Sequence, residues 1–255
     1  MDNWKQQYAS KLISAEEAAA KIKNGDRIYL GSMCCEPTSI IQALAHSYLE
    51  DVEMVQFIRG TEALALSGRG HNRFRLRTFH LGGLTGREDT DTEANYVPLF
   101  HSQIPNFLRT RRIPIDVAIV QVSEPDASGF FGLGISVDVA RSAVESARMV
   151  IAQVNPFMPR TQGDTLVPAD KITYLVDSPQ PLYEIPGERL GDEEMAITRY
   201  CCELIEDGSV LHFGFAATSR MLIDNLKDRR HLGVHTEIFT DPLCDLIDSG
   251  VIDNS

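Results

Sequence analysis

The sequence predicts an α/β fold, an open and mostly parallel sheet flanked by helices, followed by an incomplete second α/β domain. Three observations predict it. Strand-like and helix-like apolar patterns alternate along the first three quarters of the chain, the order that right-handed crossovers between parallel strands require. Residues 115–122 form a continuous apolar run of strand length, as expected of a parallel strand covered by helices on both faces. Ser178-Pro179-Gln180-Pro181 and Ile185-Pro186-Gly187-Glu188 have linker composition, which places a boundary near residue 187 and gives domains at 1–187 and 188–255.

The elements follow in order. Ser14 and Glu17 form a capping box, and the alanine-rich helix behind it should stop at Asn24-Gly25. Residues 27–31 read as a strand. Glu36-Pro37 opens a second helix, with proline where its missing N–H costs nothing, and Ile40, Ile41 and Leu44 give that helix an apolar face. Residues 52–58 and 77–81 read as strands, separated by a glycine- and arginine-rich connection over 60–77 expected to be mobile or to face a ligand. A helix interrupted at Pro105 precedes the apolar run at 115–122. A helix then starts at Ser136, and residues 148–154 and 172–176 return as strands. Beyond the linker, Asp192 caps a helix on which Ile197, Cys201, Leu204 and Ile205 share a face. Last come a strand at 210–213, a tight turn at Gly214, a helix capped by Thr218 or Ser219, and a strand at 234–239.

Composition excludes several function classes. The 255 residues carry a net charge of −12, from 24 basic and 36 acidic side chains, which disfavours nucleic acid or an anionic membrane as partner. A polyanionic ligand would need a local basic patch, for which Arg69, Arg73, Arg75 and Arg77, or Lys227, Arg229 and Arg230, are candidates. No apolar run approaches the ~20 residues that span a bilayer, and the first residues lack an apolar targeting segment; a cytoplasmic protein is expected. Five cysteines include the adjacent pairs Cys34-Cys35 and Cys201-Cys202, read as reduced and mostly buried. The seven histidines form no metal-ligand spacing, so no metal is expected.

Gly129-Phe130-Phe131-Gly132-Leu133-Gly134 follows a strand and precedes a helix, but its spacing is not that of a dinucleotide fingerprint, and tight turns needing positive φ account for it. Glu237 stands apart because it interrupts an apolar run. A carboxylate inside a buried strand costs several kcal/mol unless paired or functional, on the scale of ionic desolvation. The alternatives are a strand end facing water, or a pair with an arginine such as Arg220. His212 and His235 are either satisfied core histidines or donors that orient Glu237.

Several stretches together resemble a known family: Glu36-Pro37, Asn95-Tyr96-Val97-Pro98, residues 122–134, Ser136-Val137-Asp138, residues 154–160, Gly163-Asp164, and Gly233-Val234-His235-Thr236-Glu237. In order and nearly end to end, they are similar to the acetyl-CoA hydrolase/transferase family, which includes 4-hydroxybutyrate, butyrate and acetate CoA-transferases. The resemblance implies the CoA-transferase form of the α/β fold and a ping-pong transfer of coenzyme A between a short-chain acyl-CoA and a carboxylate, with Glu237 as nucleophile. Coenzyme A enters as the acyl-CoA substrate, and the loop after the strand, Gly214, Phe215, Ala216, Ala217 and Thr218, stands where the family contacts it. Only Gly214 of the family's glycine-rich loop is kept there. Acyl-CoA hydrolysis is the alternative activity. The alternative of another class is a non-catalytic subunit needing a C-terminal half, since family members run on beyond the position of Glu237; a homo-oligomer or that complementary half is the expected partner.

Overall fold

The computed structural model describes residues 3–58, 60, 62–66, 73–80, 94–185, 191–214 and 217–255. The chain forms two compact units, Met1–Ile185 and Pro186–Ser255.

The first unit is built on seven parallel strands in the order β4-β3-β2-β1-β5-β7-β9. They are β1 (Arg27–Leu30), β2 (Val52–Gln56), β3 (Phe74–Thr78), β4 (Ala94–Tyr96), β5 (Val117–Val122), β7 (Met149–Val154) and β9 (Tyr174–Asp177). A separate antiparallel pair joins β6 (Phe130–Gly132) to β8 (Leu166–Pro168). Alternation along β5 shows how the sheet is buried: Val117 and Ile119 enter one apolar core, Ala118, Val120 and Val122 the other. Helices α2 (Ala15–Ala19) and α3 (Thr38–Ala45) cover the first face through Ala18, Ile40, Ile41 and Leu44. Helices α4 (Ile104–Arg109) and α5 (Ala140–Ser146) cover the second through Ile104, Leu108, Ala143 and Val144, and Trp4 of α1 (Asn3–Gln7) joins them. The capping box forms as expected, with the Ser14 N–H donating to Glu17 Oε2 at 2.8 Å and the Glu17 N–H to Ser14 Oγ at 3.1 Å.

Strand order reverses between β1 and β5. From β1 the chain steps outward through β2, β3 and β4, whereas β5, β7 and β9 lie on the other side. In open parallel sheets the crevice beyond the carboxyl ends of the strands at such a switch point is where ligands bind.

The second unit contains α6 (Asp192–Leu204), β10 (Val210–Leu211), α7 (Ala217–Asp224), β11 (Gly233–Val234) and α8 (Asp241–Asp248). β10 and β11 pair in parallel, and Phe213, Ile223, Leu226, Leu232, Leu243 and Leu246 form its core. Among the described residues no helix is long and apolar enough to cross a membrane.

Four expectations need correction. The helix expected to reach Asn24-Gly25 ends at Ala19. β3 begins at Phe74 and ends at Thr78 rather than running over 77–81; Leu81 lies outside the described residues. The glycine-rich 129–134 segment does form the expected positive-φ turns, at Gly129 (φ 81°) and Gly134 (φ 75°), and holds β6 between them. The strand expected over 234–239 is confined to Gly233–Val234. On α6, Ile197, Cys201 and Leu204 do share a face, yet all three are exposed, and Thr198 is the buried residue.

Candidate functional site

The switch point holds a cavity. After β1 the chain runs through Gly31 and Ser32 into a single 3-10 turn, Met33–Cys35, before Glu36-Pro37 start α3. Met33 takes φ 54°, a left-handed conformation that a long side chain adopts at a cost and that clusters at ligand sites. Met33, Cys34, Glu36, Gln42, Glu62, Gln121 and Gln180 line a cavity of about 200 Å³, closed by Pro181, Leu182 and Tyr183.

Glu36 is its structural centre. Only 3% of the residue is exposed. Its Oε1 accepts from Gln56 Nε2 at 2.8 Å and from the N–H groups of Gly60 at 3.1 Å and Ala63 at 3.3 Å, while Oε2 accepts from the Glu62 N–H at 2.9 Å. Burial pushes the Glu36 carboxyl above its ordinary value, although all four donors pull the other way. Gly60 has to be glycine here, because a Cβ would sit 2.2 Å from Glu36 Cδ.

Side-chain amides extend the network along the carboxyl ends of the strands. Gln121 Nε2 donates to the Glu36 carbonyl oxygen at 2.9 Å, and Gln121 Oε1 accepts from Asn155 Nδ2 at 2.8 Å. Asn155 Nδ2 also donates to the Gln180 carbonyl at 2.8 Å, and Gln180 Nε2 donates to Thr38 Oγ1. Gln153, opposite Gln121 in register, accepts from the Ser39 N–H and hydroxyl. Among the described residues, Gln56 Oε1 and Gln153 Nε2 are buried without a partner.

Other buried groups have structural duties. The Tyr29 hydroxyl donates to Asp138 Oδ1 at 2.9 Å, and Asp138 caps α5 through the N–H groups of Val139 and Ala140. Burial pushes both Tyr29 and Asp138 upward. Burial, and then the Glu36 charge, raise the Cys34 thiol, and burial pushes Cys35 up to about 12; thiols held in the neutral form are poor nucleophiles. All five cysteines are free.

The sequence-predicted residues belong to the second unit, and their surroundings differ from expectation. Glu237 follows β11 in irregular backbone and is exposed, so the desolvation argument for it does not apply. Among the described residues it makes no ion pair, with Arg220 or any other. Its backbone is pinned at the carboxyl end of the β10–β11 pair: the His235 N–H donates to the Leu211 carbonyl at 3.0 Å, and Thr236 Oγ1 donates to the Phe213 carbonyl at 2.8 Å. His212 and His235 lie just beyond their strands and are exposed, not core histidines. Gly214 is exposed with open space around it, and Thr218 lies in the first turn of α7. Phe215 and Ala216 lie outside the described residues, as does the side chain of Ala217.

The basic patches have internal partners. Arg73 donates to the Ser47 and Ala45 carbonyls at the end of α3, Arg75 pairs with Asp51, and Arg77 with Glu53. Arg229 donates to the Ile205 and Cys202 carbonyls. Arg69 lies outside the described residues, among which no cluster of His, Cys, Asp and Glu suits a metal.

Sequence reasoning missed the cavity. Glu36 was legible as a helix start and as part of the family resemblance, not as a cavity residue, although Gln56, Gln121 and Gln153 each stand at or one residue from the end of an apolar strand, a recurring polar signal at the ligand edge of a parallel sheet.

Residues 1–185 match the acetyl-CoA hydrolase/transferase N-terminal domain. The chain is 37% identical over 257 residues to the 4-hydroxybutyrate coenzyme A transferase of Clostridium kluyveri, covering 98% of this chain and 59% of that protein. Among solved structures, RipA from Yersinia pestis is similar with a TM-score of 0.86 at 31% identity, over 97% of this chain and 60% of that one. A 4-hydroxybutyrate CoA-transferase from Porphyromonas gingivalis gives 0.79 at 28% identity, over 98% and 59%. The chain thus spans about three fifths of the length of these relatives.

Proposed function

We propose, from the premise that this chain belongs to the acetyl-CoA hydrolase/transferase family, that it takes part in moving coenzyme A between a short-chain acyl group, of the 4-hydroxybutyrate, butyrate or acetate kind, and a carboxylate acceptor. The observation that carries this reading is the similarity along 98% of the chain to a relative named as a 4-hydroxybutyrate coenzyme A transferase. The small polar cavity at the switch point of the first unit supports it, being of a size for a short acyl chain or a small carboxylic acid.

In the chemistry we assign, a Glu237 oxygen attacks the thioester carbonyl carbon; the C–S bond breaks and coenzyme A leaves as thiolate, giving a mixed acyl-glutamyl anhydride. The thiolate then attacks the glutamyl carbonyl, releasing the original acyl group as its carboxylate and leaving a glutamyl-CoA thioester. An incoming carboxylate reverses both steps and departs as the new acyl-CoA. Covalent relay of this kind divides one difficult exchange into easier ones. A carboxylate in this role has to be reachable by a thioester, which the exposure of Glu237 supports, and Gly214 to Thr218 remain the proposed coenzyme A contacts. If water resolves the intermediate instead, the same residues make an acyl-CoA hydrolase.

The experiment is incubation with butyryl-CoA followed by peptide mass spectrometry. A coenzyme A adduct on the peptide holding Glu237, absent from Glu237→Gln, is the expected result; an adduct elsewhere, or one that survives the substitution, refutes the assignment. Because the chain spans about 59% of this relative, a second reading is a subunit that needs a complementary C-terminal half, and an adduct that forms only when such a half is added supports it.

A further inference from the structure

The two carboxylates of the cavity are not equivalent. Glu62 lines it with a side chain that makes no bond to the network among the described residues. Glu36 lines it too, but both of its oxygens are engaged, and three of their four donors are main-chain N–H groups of Gly60, Glu62 and Ala63. One internal carboxylate therefore gathers the backbone N–H groups of Gly60, Glu62 and Ala63, and so holds Glu62 at the cavity. The fourth donor, Gln56 Nε2, also donates to the Gly31 carbonyl at 3.0 Å, so the same carboxylate ties the end of β2 to the end of β1. Gln121 closes the network from β5 through the Glu36 carbonyl. The missing Cβ of Gly60 is what lets the segment come this close.

We propose that Glu36 is the positioning residue of the cavity: as a carboxylate it holds Gly60, Glu62 and Ala63 against the switch point and so sets the wall that confines a short acyl or carboxylate group. This rests on the reading of the cavity given above. Protonation turns one acceptor oxygen into an O–H donor facing N–H groups, and removal of the charge weakens the remaining bonds; either change releases the wall. Among the described residues, the titratable groups facing Glu36 are Glu62 on the segment it holds and Cys34 on its own turn. Among the described residues no Lys, Arg or His lines the cavity.

The test uses the 255-residue chain and butyrate, followed by ligand-observed NMR well below the melting temperature. Glu36→Gln and Gly60→Ala disturb the same contact from opposite sides. Each is expected to weaken butyrate binding about tenfold, and the double variant to be no weaker than the worse single one, as coupled neighbours behave. Wild-type affinity should fall more steeply on acidification than that of Glu36→Gln, in which butyrate and Glu62 still titrate but position 36 does not, a difference that a purely structural residue would not produce. Affinities within about twofold of wild type in the folded variants, or additive losses, overturn the proposal. If neither variant folds, the wild-type pH profile decides, and a profile that follows the titration of butyrate alone overturns it. Wild-type protein that transfers coenzyme A from butyryl-CoA but does not bind butyrate sinks the cavity assignment, and Glu36's role with it, while leaving the transfer reading standing.

Discussion

Replacing Glu237 and Glu36 separately by glutamine should give opposite signatures, and the structure sets both magnitudes. Glu237 is exposed and makes no ion pair among the described residues, so the substitution removes no folded-state contact. Surface changes of this kind leave stability nearly untouched, and the melting temperature should stay within about 2 °C of wild type. Glu36 accepts four hydrogen bonds while buried. A glutamine can keep its carbonyl toward Gln56, Gly60 and Ala63, but its NH₂ then faces the Glu62 N–H, and orphaning one buried donor costs about 1–3 kcal/mol. The three retained bonds lose their charge assistance, roughly 1 kcal/mol each. Relief from burying an ion, also several kcal/mol, offsets that loss. The net of about 1–3 kcal/mol should lower the melting temperature by about 2–12 °C at this size. Differential scanning calorimetry reads both. A Glu36→Gln protein that melts at or above wild type would refute the account of Glu36 as an internal anchor, and a drop of more than about 4 °C in Glu237→Gln would mean that Glu237 holds structure rather than awaiting substrate.

Three further outcomes are expected. Burial pushes the Glu53 carboxyl up, but the guanidinium groups of Arg27 and Arg77, each bonded to it, outweigh burial and hold it below its ordinary value; a depressed carboxyl adds stability that is present above the ordinary carboxylate range and lost as pH falls through its folded value, so Glu53→Gln should flatten the acid side of a urea-unfolding pH profile. Tyr29→Phe removes the hydroxyl donor to the buried Asp138 and should cost about 1–3 kcal/mol by chemical denaturation, with no change in butyrate binding. Gly134→Ala places a Cβ 2.1 Å from Met158 Sδ at a φ of 75°, and combines a clash with left-handed strain; a loss of about 2–4 kcal/mol is expected, measured the same way.

How much of this was legible in the sequence depends on whether the signal is local. The Ser14–Glu17 box, β5 and β7 rest on short-range chemistry or on unbroken apolar runs, and they lie where the residues put them. β3 was misplaced because the arginines at 75 and 77 obscured a simple alternation: Phe74, Leu76 and Thr78 are buried while Arg75 is exposed. On α6 periodicity correctly grouped Ile197, Cys201 and Leu204, but grouping does not say which side faces inward. The β6–β8 pair was out of reach, since its two strands lie some thirty residues apart and each is only three long.

The candidate site divides along the same line. Glu237 drew attention because a charged residue among apolar neighbours reads as a buried charge, yet β11 stops at Val234 and the apolar residues after it are not strand residues, so the inference of burial had no basis in the backbone. Glu36 drew attention only through the family resemblance of Glu36-Pro37, because a glutamate before a proline at a helix start is otherwise ordinary in sequence. What makes it unusual is that three of its four partners come from a segment more than twenty residues later, and a carboxylate's partners cannot be read from its own neighbours. The glutamines offered the better clue. An amide at the end of an otherwise apolar parallel strand must find partners inside the protein, and three such residues on strands flanking the reversal in strand order place that polar network at the edge where an open sheet receives its ligand.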